Sequence, residues 1–430
     1  MRVLYILLAT VLTAHAQKKK FLVSYKPKQK SAKGFRKLLE DTSINAQKVG
    51  KNVNKDDKTV KELENDPDVA NVEENITVQV PKNKVISFSQ VPESLKAGTG
   101  LPDSLDMDSI IVNAVKSSPL KFEQDYKKWK KQRYAPWQLS RISSIGSNSQ
   151  NYFPFGQEYY YPEMPNEVIA YVLDSGVDPT LIELAGRVRL GANFVEGEQH
   201  YDYVGHGTAI SGLIAGTNNG VAKKAKIVSV KVLNHSNKGS LDSFIQGLEW
   251  VAKDKLETYP NTPAILNFSI NLNKQSELLQ EAFRKVYASG IITTASAGNY
   301  ASDACGYTPT EYKETITVGS FTPQKNMFDK DISNFGKCVD ILAPGTYLFV
   351  PIANSGNLIS IQSGTSLASG VVCGVGALLL SNHPKLNPEE VKNILLDASV
   401  TGQIIGVPEN TTDKAVFNGY LGSASTFEFN

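Results

Sequence analysis

The sequence predicts an α/β protein: a doubly wound, mostly parallel sheet with helices on both faces, preceded by a small α/β domain. Three observations lead there. Residues 168–173 form an unbroken apolar run, the pattern of a strand buried on both faces of a parallel sheet. From residue 168 onward, strand-like and helix-like stretches alternate, as in βαβ units. The chain has 430 residues, 41% of them hydrophobic, enough for one large domain and a smaller one.

Taken in chain order, residues 17–80 read as the small domain. Residues 21–25 alternate as a strand, and 33–39 and 58–64 as helices, the second stopped by Asp66-Pro67. Residues 68–80 alternate again, with Val69, Val72, Ile76, Val78 and Val80 marking strands around a turn. From 81 to 133 periodicity fades and Pro, Ser, Asp and Lys dominate, as in a linker. It ends in the basic run 127–133, read either as a solvated charged face or as a processing site. The main domain, 134–430, then places strands at 168–173, 226–233, 264–270, 291–295, 315–319 and 339–342. Helices are expected at 206–216, 241–251 and 275–288, and from 366 to about 380.

The net charge of +2 hides two opposite halves. Residues 17–133 hold 24 basic and 16 acidic side chains, whereas 134–430 hold 20 and 27. The overall balance gives no reason to expect nucleic acid as a partner. Arg2, the apolar run 3–12 and Ala14-His15-Ala16 read as a signal peptide over 1–16. No stretch reads as a membrane span, the longest other apolar run being 371–380. The expected location is secreted or extracellular, or the lumen of a vacuole. Cys305, Cys338 and Cys373 allow one disulfide and leave one thiol over. Glycan acceptor triplets begin at Asn75, Asn234, Asn267 and Asn410, and Asn267 lies in an apolar run that reads as buried.

Three motifs fall where α/β proteins put their chemistry, at strand ends and helix starts. Val172-Leu173-Asp174-Ser175-Gly176 ends a buried strand on a carboxylate. Gly205-His206-Gly207-Thr208 opens a helix with an imidazole between two glycines. Ser363-Gly364-Thr365-Ser366 sets a hydroxyl at a helix N-terminus, where backbone N–H groups point outward. In the order Asp, His, Ser they make a nucleophilic triad, and the Gly-x-Ser-x-Gly elbow of an α/β-hydrolase esterase is missing. Ala297-Gly298-Asn299 follows another buried strand and offers an amide to an oxyanion.

With these motifs the chain resembles the subtilisin-like serine proteases, nearest the proteinase K and fungal vacuolar branch, from about residue 135 to beyond 380. Ala135-Pro136-Trp137-Gln138-Leu139-Ser140-Arg141-Ile142 is similar to that branch's mature start, and 66–80 to the end of its inhibitory propeptide. The resemblance implies a secreted endopeptidase made as a zymogen, acting on polypeptides through an acyl-enzyme on Ser366. His206 would be the base, Asp174 its partner and Asn299 an oxyanion donor. Residues 17–80 would be an intramolecular inhibitor. It also implies substrate-binding roles for Gly239, Ser269, Ile270, Asn271 and Gly298, and a Cys305–Cys338 disulfide. No cofactor is implied for catalysis, but a structural calcium is expected at Asp340, although Lys313 stands where relatives carry proline.

Several positions depart from the family pattern. Ala209 replaces a second histidine, Ser211 an alanine, Leu367 a methionine and Gly370 a proline. Relatives have Ser-Leu-Gly-Gly where this chain has Ser269-Ile270-Asn271-Leu272, so side chains enter a wall that glycines leave open. Either the loop is remodelled or the pocket is narrower and more selective, and the expectation is a restricted specificity. The altered wall also motivates the rival expectation of a catalytically weak or inactive surface protein, against which the complete set of Asp174, His206, Ser366 and Asn299 weighs.

Overall fold

The structure is a computed structural model that describes residues 21–25, 64–65, 69–81, 83–87, 90–92, 123–126, 129–144 and 158–420. The chain forms two compact units, residues 1–76 and 77–430. In the first, β1 (Phe21–Tyr25) pairs antiparallel with β2 (Val69–Glu74), from Phe21 opposite Glu74 to Tyr25 opposite Val69. Glu64 is helical, as expected for the end of the second helix. The signal peptide and the helix expected over 33–39 lie outside the described residues.

The second unit opens with β3 (Thr77–Gln79), β4 (Lys84–Ile86), β5 (Glu123–Tyr126), β6 (Trp129–Arg133), α1 (Trp137–Ile142) and β7 (Glu158–Pro162). Then come β8 (Ile169–Asp174), β9 (Val188–Asn193), α2 (His206–Ala215), β10 (Lys226–Lys231), β11 (Lys238–Ser240), α3 (Leu241–Glu257) and β12 (Ala264–Phe268). The rest are α4 (Glu277–Ala288), β13 (Ile292–Ser296), β14 (Thr315–Phe321), β15 (Ile341–Pro344), β16 (Leu348–Pro351), β17 (Ile359–Ser363), α5 (Thr365–Asn382) and α6 (Pro388–Asp397).

Seven strands form the central sheet in the order β15-β14-β13-β12-β8-β10-β9, with every neighbouring pair parallel. β8 is buried at all six residues, so both faces of the sheet are covered there. α2 and α5 pack on each other and on the sheet, as do α3 and α4. The chain runs from β8 outward to β9, returns through β10, then crosses to β12 and continues to β15. β8 is therefore the switch point, and the crevice at its carboxyl end is where such sheets bind ligands.

The stretch 81–133, expected to lack periodic structure, contributes three strands. β4 pairs antiparallel with β17, and β6 lies between β5 and β7. Within the basic run, Lys130 pairs with Glu163 at 3.0 Å and Lys131 with Glu158 at 3.3 Å, while Gln132 is buried and donates to the Asn218 carbonyl at 3.0 Å. These partners come from β7 and the 163–218 region, so composition alone gave no sign of them. α5 is long and apolar enough to cross a membrane, but it is buried along nearly all of its length, as the core helix of a globular fold is.

Candidate active site

Asp174 ends β8 with no solvent exposure. Its backbone carbonyl accepts from the N–H groups of Val232 and Leu233 at 2.8 and 3.2 Å, and its Oδ1 accepts from the Ser175 N–H at 2.7 Å. The next turn is held by Lys231, whose buried ammonium donates to the carbonyls of Ser175 and Leu233, both at 2.8 Å. The hydrogen bond from the Ser175 N–H helps fix the orientation of the buried carboxylate.

That carboxylate meets His206, the first residue of α2. Nδ1 lies 2.8 Å from Oδ1 and 2.9 Å from Oδ2 of Asp174. Gly205, at φ 85°, turns the chain into the helix in a conformation that disfavours other residues. A Cβ at residue 207 would fall 2.1 Å from the Gly176 carbonyl, so only glycine lets the helix start approach β8 this closely. Burial alone would push the imidazole pKa down, but the Asp174 carboxylate, its hydrogen bond and Asp202 outweigh this and hold it above the ordinary 6.5. His206 Nε2 is buried without a hydrogen-bond partner, so the expected bond to the Ser366 hydroxyl is not formed in this structure. Such bonds commonly tighten only with substrate bound.

Asp202 is a site residue that the sequence reading missed. It is fully buried and accepts from five donors: the Ser175 hydroxyl, the N–H groups of Val204, Gly205 and Thr208, and the Thr208 hydroxyl. It thereby ties the turn after β8 to the start of α2. The available sign was an aspartate four residues before His206, in the Asx position ahead of a helix.

Ser366 is the second residue of α5 and is 4% exposed. Beside it, Asn299 Oδ1 accepts from both the N–H and the hydroxyl of Thr365, at 2.8 and 2.7 Å. Two donors on the oxygen leave the amide nitrogen facing the gap in front of the helix. Gly364 keeps that gap open, because a Cβ there would lie 3.2 Å from Asn299 Nδ2. The Gly298 N–H donates to the Thr365 hydroxyl at 3.1 Å, so the Gly298–Asn299 turn and the helix start are one hydrogen-bonded unit. Ser269, buried, donates from Oγ to the Ser366 carbonyl at 3.3 Å and shares a 2.8 Å hydrogen bond with Ser369. Asn267, also fully buried as expected, donates to Ser369 Oγ at 2.7 Å.

A segment of the chain itself runs along this crevice. Val78 of β3 pairs with Gly239 of β11, the Val80 N–H donates to the Asn237 carbonyl at 3.0 Å, and Asn237 Nδ2 returns a bond to the Val80 carbonyl at 2.9 Å. Asn83 donates to Gln362 Oε1 at 3.3 Å, and its buried Oδ1 lies 2.7 Å from where a Cβ of residue 364 would stand. β4 then pairs with β17, Lys84 opposite Ser363 and Ile86 opposite Ile361. The segment thus adds one strand to β11 and another to β17, the strand that leads through Gly364 into the helix carrying Ser366. Pairing partners 157 to 279 residues away leave no local trace in the sequence.

A family model described as the subtilase family, Peptidase_S8, matches residues 166–420, and with them all four motif residues. The chain belongs to the subtilase family. It is 35% identical over 292 residues to the "Subtilase-type proteinase psp3" of Schizosaccharomyces pombe, covering 67% of this chain and 63% of that relative. It is 31% identical over 306 residues to "Alkaline protease 2" of Aspergillus fumigatus, covering 67% and 61%. The match therefore spans less than two thirds of either relative's length. Among solved structures, a cold adapted subtilisin-like serine proteinase superposes with a TM-score of 0.59 at 33% identity, over 66% of this chain and 98% of that one.

Two of the departures from the subtilase pattern lie in α5. Gly370, in place of proline, lies where α5 crosses α2; a Cβ there would meet Ile210 Cγ2 at 3.4 Å, an ordinary contact, so the packing does not explain the glycine. Leu367 is fully buried in the core, as an apolar exchange permits. Cys305 and Cys338 are joined, with Cα atoms 5.2 Å apart, and Cys373 is buried and free.

At the Asp340 position expected to hold calcium, the residues do not fit the ion. Asp340 Oδ2 accepts from the Thr317 N–H at 2.8 Å and from Lys392 Nζ at 3.2 Å, and the same ammonium donates to the Thr315 carbonyl at 2.7 Å. A cation of the protein's own already bridges carboxylate and carbonyl. Among the described residues there is no group of three or more His, Cys, Asp or Glu side chains able to hold a metal.

Proposed function

We propose that this subtilase is a serine endopeptidase, exported from the cytoplasm and made in a latent form, acting on polypeptides through an acyl-enzyme on Ser366. The observation that carries the reading is the pairing of Asp174 with His206 at 2.8 Å in the crevice where Ser366 and Asn299 share one helix start. His206 Nε2 takes the Ser366 proton as the hydroxyl attacks the peptide carbonyl, and returns it to the leaving amine. Asp174 keeps the proton on Nδ1 and stabilises the imidazolium. The Ser366 N–H and Asn299 Nδ2 receive the oxyanion. Nothing in these steps calls for a metal or cofactor.

Latency is supported by β3 on β11 and β4 on β17, since a chain that occupies these strand edges and sets Asn83 against Gly364, two residues before Ser366, excludes a substrate strand there. Residues 17–80 act in this reading as the inhibitory segment. Export is supported by the basic residue, apolar run and small-residue site of 1–16, and by a disulfide of the kind that persists in oxidising compartments. A fluorophosphonate probe tests the reading. It should label the processed protein at Ser366 and leave Ser366→Ala unlabelled; processed wild-type protein that takes no label would contradict it.

A further inference from the structure

Beside the nucleophile two neighbouring strands of the sheet separate. β12 and β13 are paired up to Phe268 and Ala295; beyond them Ser296 stays in the sheet, paired with Val318 of β14, but the segments 269–272 and 296–299 are no longer paired as strands with each other. Ser269 donates to the Ser366 carbonyl and Asn299 accepts from the Thr365 N–H, so both segments flank the helix start at which the reading above seats the peptide carbonyl, and in that reading the side chain on its N-terminal side enters the gap between them. Across that gap Asn271 and Ser296 are joined by two hydrogen bonds. Asn271 Nδ2 donates to the Ser296 carbonyl at 2.7 Å, and the Ser296 hydroxyl donates to Asn271 Oδ1 at 2.8 Å.

Both ends of the carboxamide are engaged, so it cannot swing aside while keeping either bond intact. The backbone behind it is pinned as well. The Leu272 N–H donates to the Thr308 carbonyl at 2.9 Å and the Thr308 N–H to the Leu272 carbonyl at 2.8 Å, while Ile270 and Leu272 are buried. Ser296 is 1% exposed, so a bulky side chain that displaced Asn271 would leave a carbonyl and a hydroxyl buried without partners. Rejection by stranding buried polar groups discriminates far more strongly than a lost apolar contact does.

We infer that the Asn271–Ser296 pair is a bar across the specificity pocket, limiting the residue before the scissile bond to glycine, alanine or serine. The inference rests on the endopeptidase reading above and narrows its substrate class. Internally quenched peptides that differ only at that residue (Gly, Ala, Ser, Leu, Phe or Lys) test it on the processed protein. Alanine should exceed phenylalanine at least tenfold in kcat/KM. Asn271→Gly should reduce that ratio at least tenfold, chiefly through KM for the phenylalanine peptide. Ser296→Ala, which removes one of the two bonds, should move the ratio less and in the same direction, and decides the matter if Asn271→Gly fails to fold. Wild-type protein that cleaves after phenylalanine as fast as after alanine, or variants with an unchanged ratio, would overturn the inference. Those results come with fluorophosphonate labelling intact, whereas absent labelling strikes the endopeptidase reading itself.

Discussion

Thr365 holds Asn299 by two hydrogen bonds to the same oxygen, one from its backbone and one from its hydroxyl, at 2.8 and 2.7 Å. The amide nitrogen is thereby aimed at the gap that Gly364 leaves open. Asn299→Ala removes a transition-state donor and should cost about 3–4 kcal/mol, or two to three decades in kcat, with KM little changed. Thr365→Val keeps the backbone bond and loses the hydroxyl. It should lower kcat by about fivefold, at about 1 kcal/mol for the hydrogen bond to Asn299, and add little in the Asn299→Ala background. Steady-state kinetics on the two single variants and the double variant check this, and additive losses would count against it.

The imidazole of His206 is held above its ordinary 6.5 because, against the cost of burial, Asp174 and Asp202 favour the charged ring. A general base works only when neutral, so the acid limb of kcat/KM should have its midpoint above 6.5. The same shift stabilises the fold fully at low pH, and that contribution is lost as pH rises through the folded-state value. Asp202→Asn removes one of the two negative charges and should move the acid limb to lower pH. A pH–rate profile of both proteins reads the direction, and an unmoved limb would show that Asp202 acts through structure alone.

Lys392 between Asp340 and the Thr315 carbonyl should make the fold indifferent to calcium. Thermal unfolding with and without a chelator should give the same Tm for the wild-type protein. Lys392→Met leaves the carboxylate and carbonyl without a cation. It should lower Tm by roughly 2–4 °C, for a partly buried pair contributing about 1 kcal/mol. A wild-type Tm that falls on chelation would restore the metal.

The strand β3 on β11 predicts how latency is released. Val78→Pro deletes one N–H from the β3–β11 ladder, opposite Gly239. In full-length, uncut protein this should raise the rate of fluorophosphonate labelling about fivefold, the equivalent of one hydrogen bond of about 1 kcal/mol. An unchanged rate would mean that the pairing does not gate access to Ser366.

Much of the site was legible in the sequence because each of its residues carries a local signature. Asp174 closes an apolar run, His206 stands between glycines at a helix start, and Ser366 and Asn299 follow glycine-marked turns. The structure brings Asp174 to His206 and Asn299 to the start of α5. What stayed hidden depends on distant partners. Asp202 matters for five donors spread from residue 175 to 208, and Lys392 for a carboxylate 52 residues away. β9 was missed because Val188–Asn193 contains a glycine and lies at the sheet edge without a continuous apolar face. The short strands β16 and β17 gain their order from each other, and β4 from β17, rather than from any period of their own. Asn271 was legible as a side chain in a glycine position, but its partner Ser296 was not.

The most direct test of the account is peptide-bond hydrolysis by the processed protein, measured beside Ser366→Ala prepared identically. The account predicts turnover of a peptide with alanine before the scissile bond, and no turnover above background in the variant. Equal hydrolysis by the two proteins, or none by a wild-type protein freed of both β3 and β4, would contradict it.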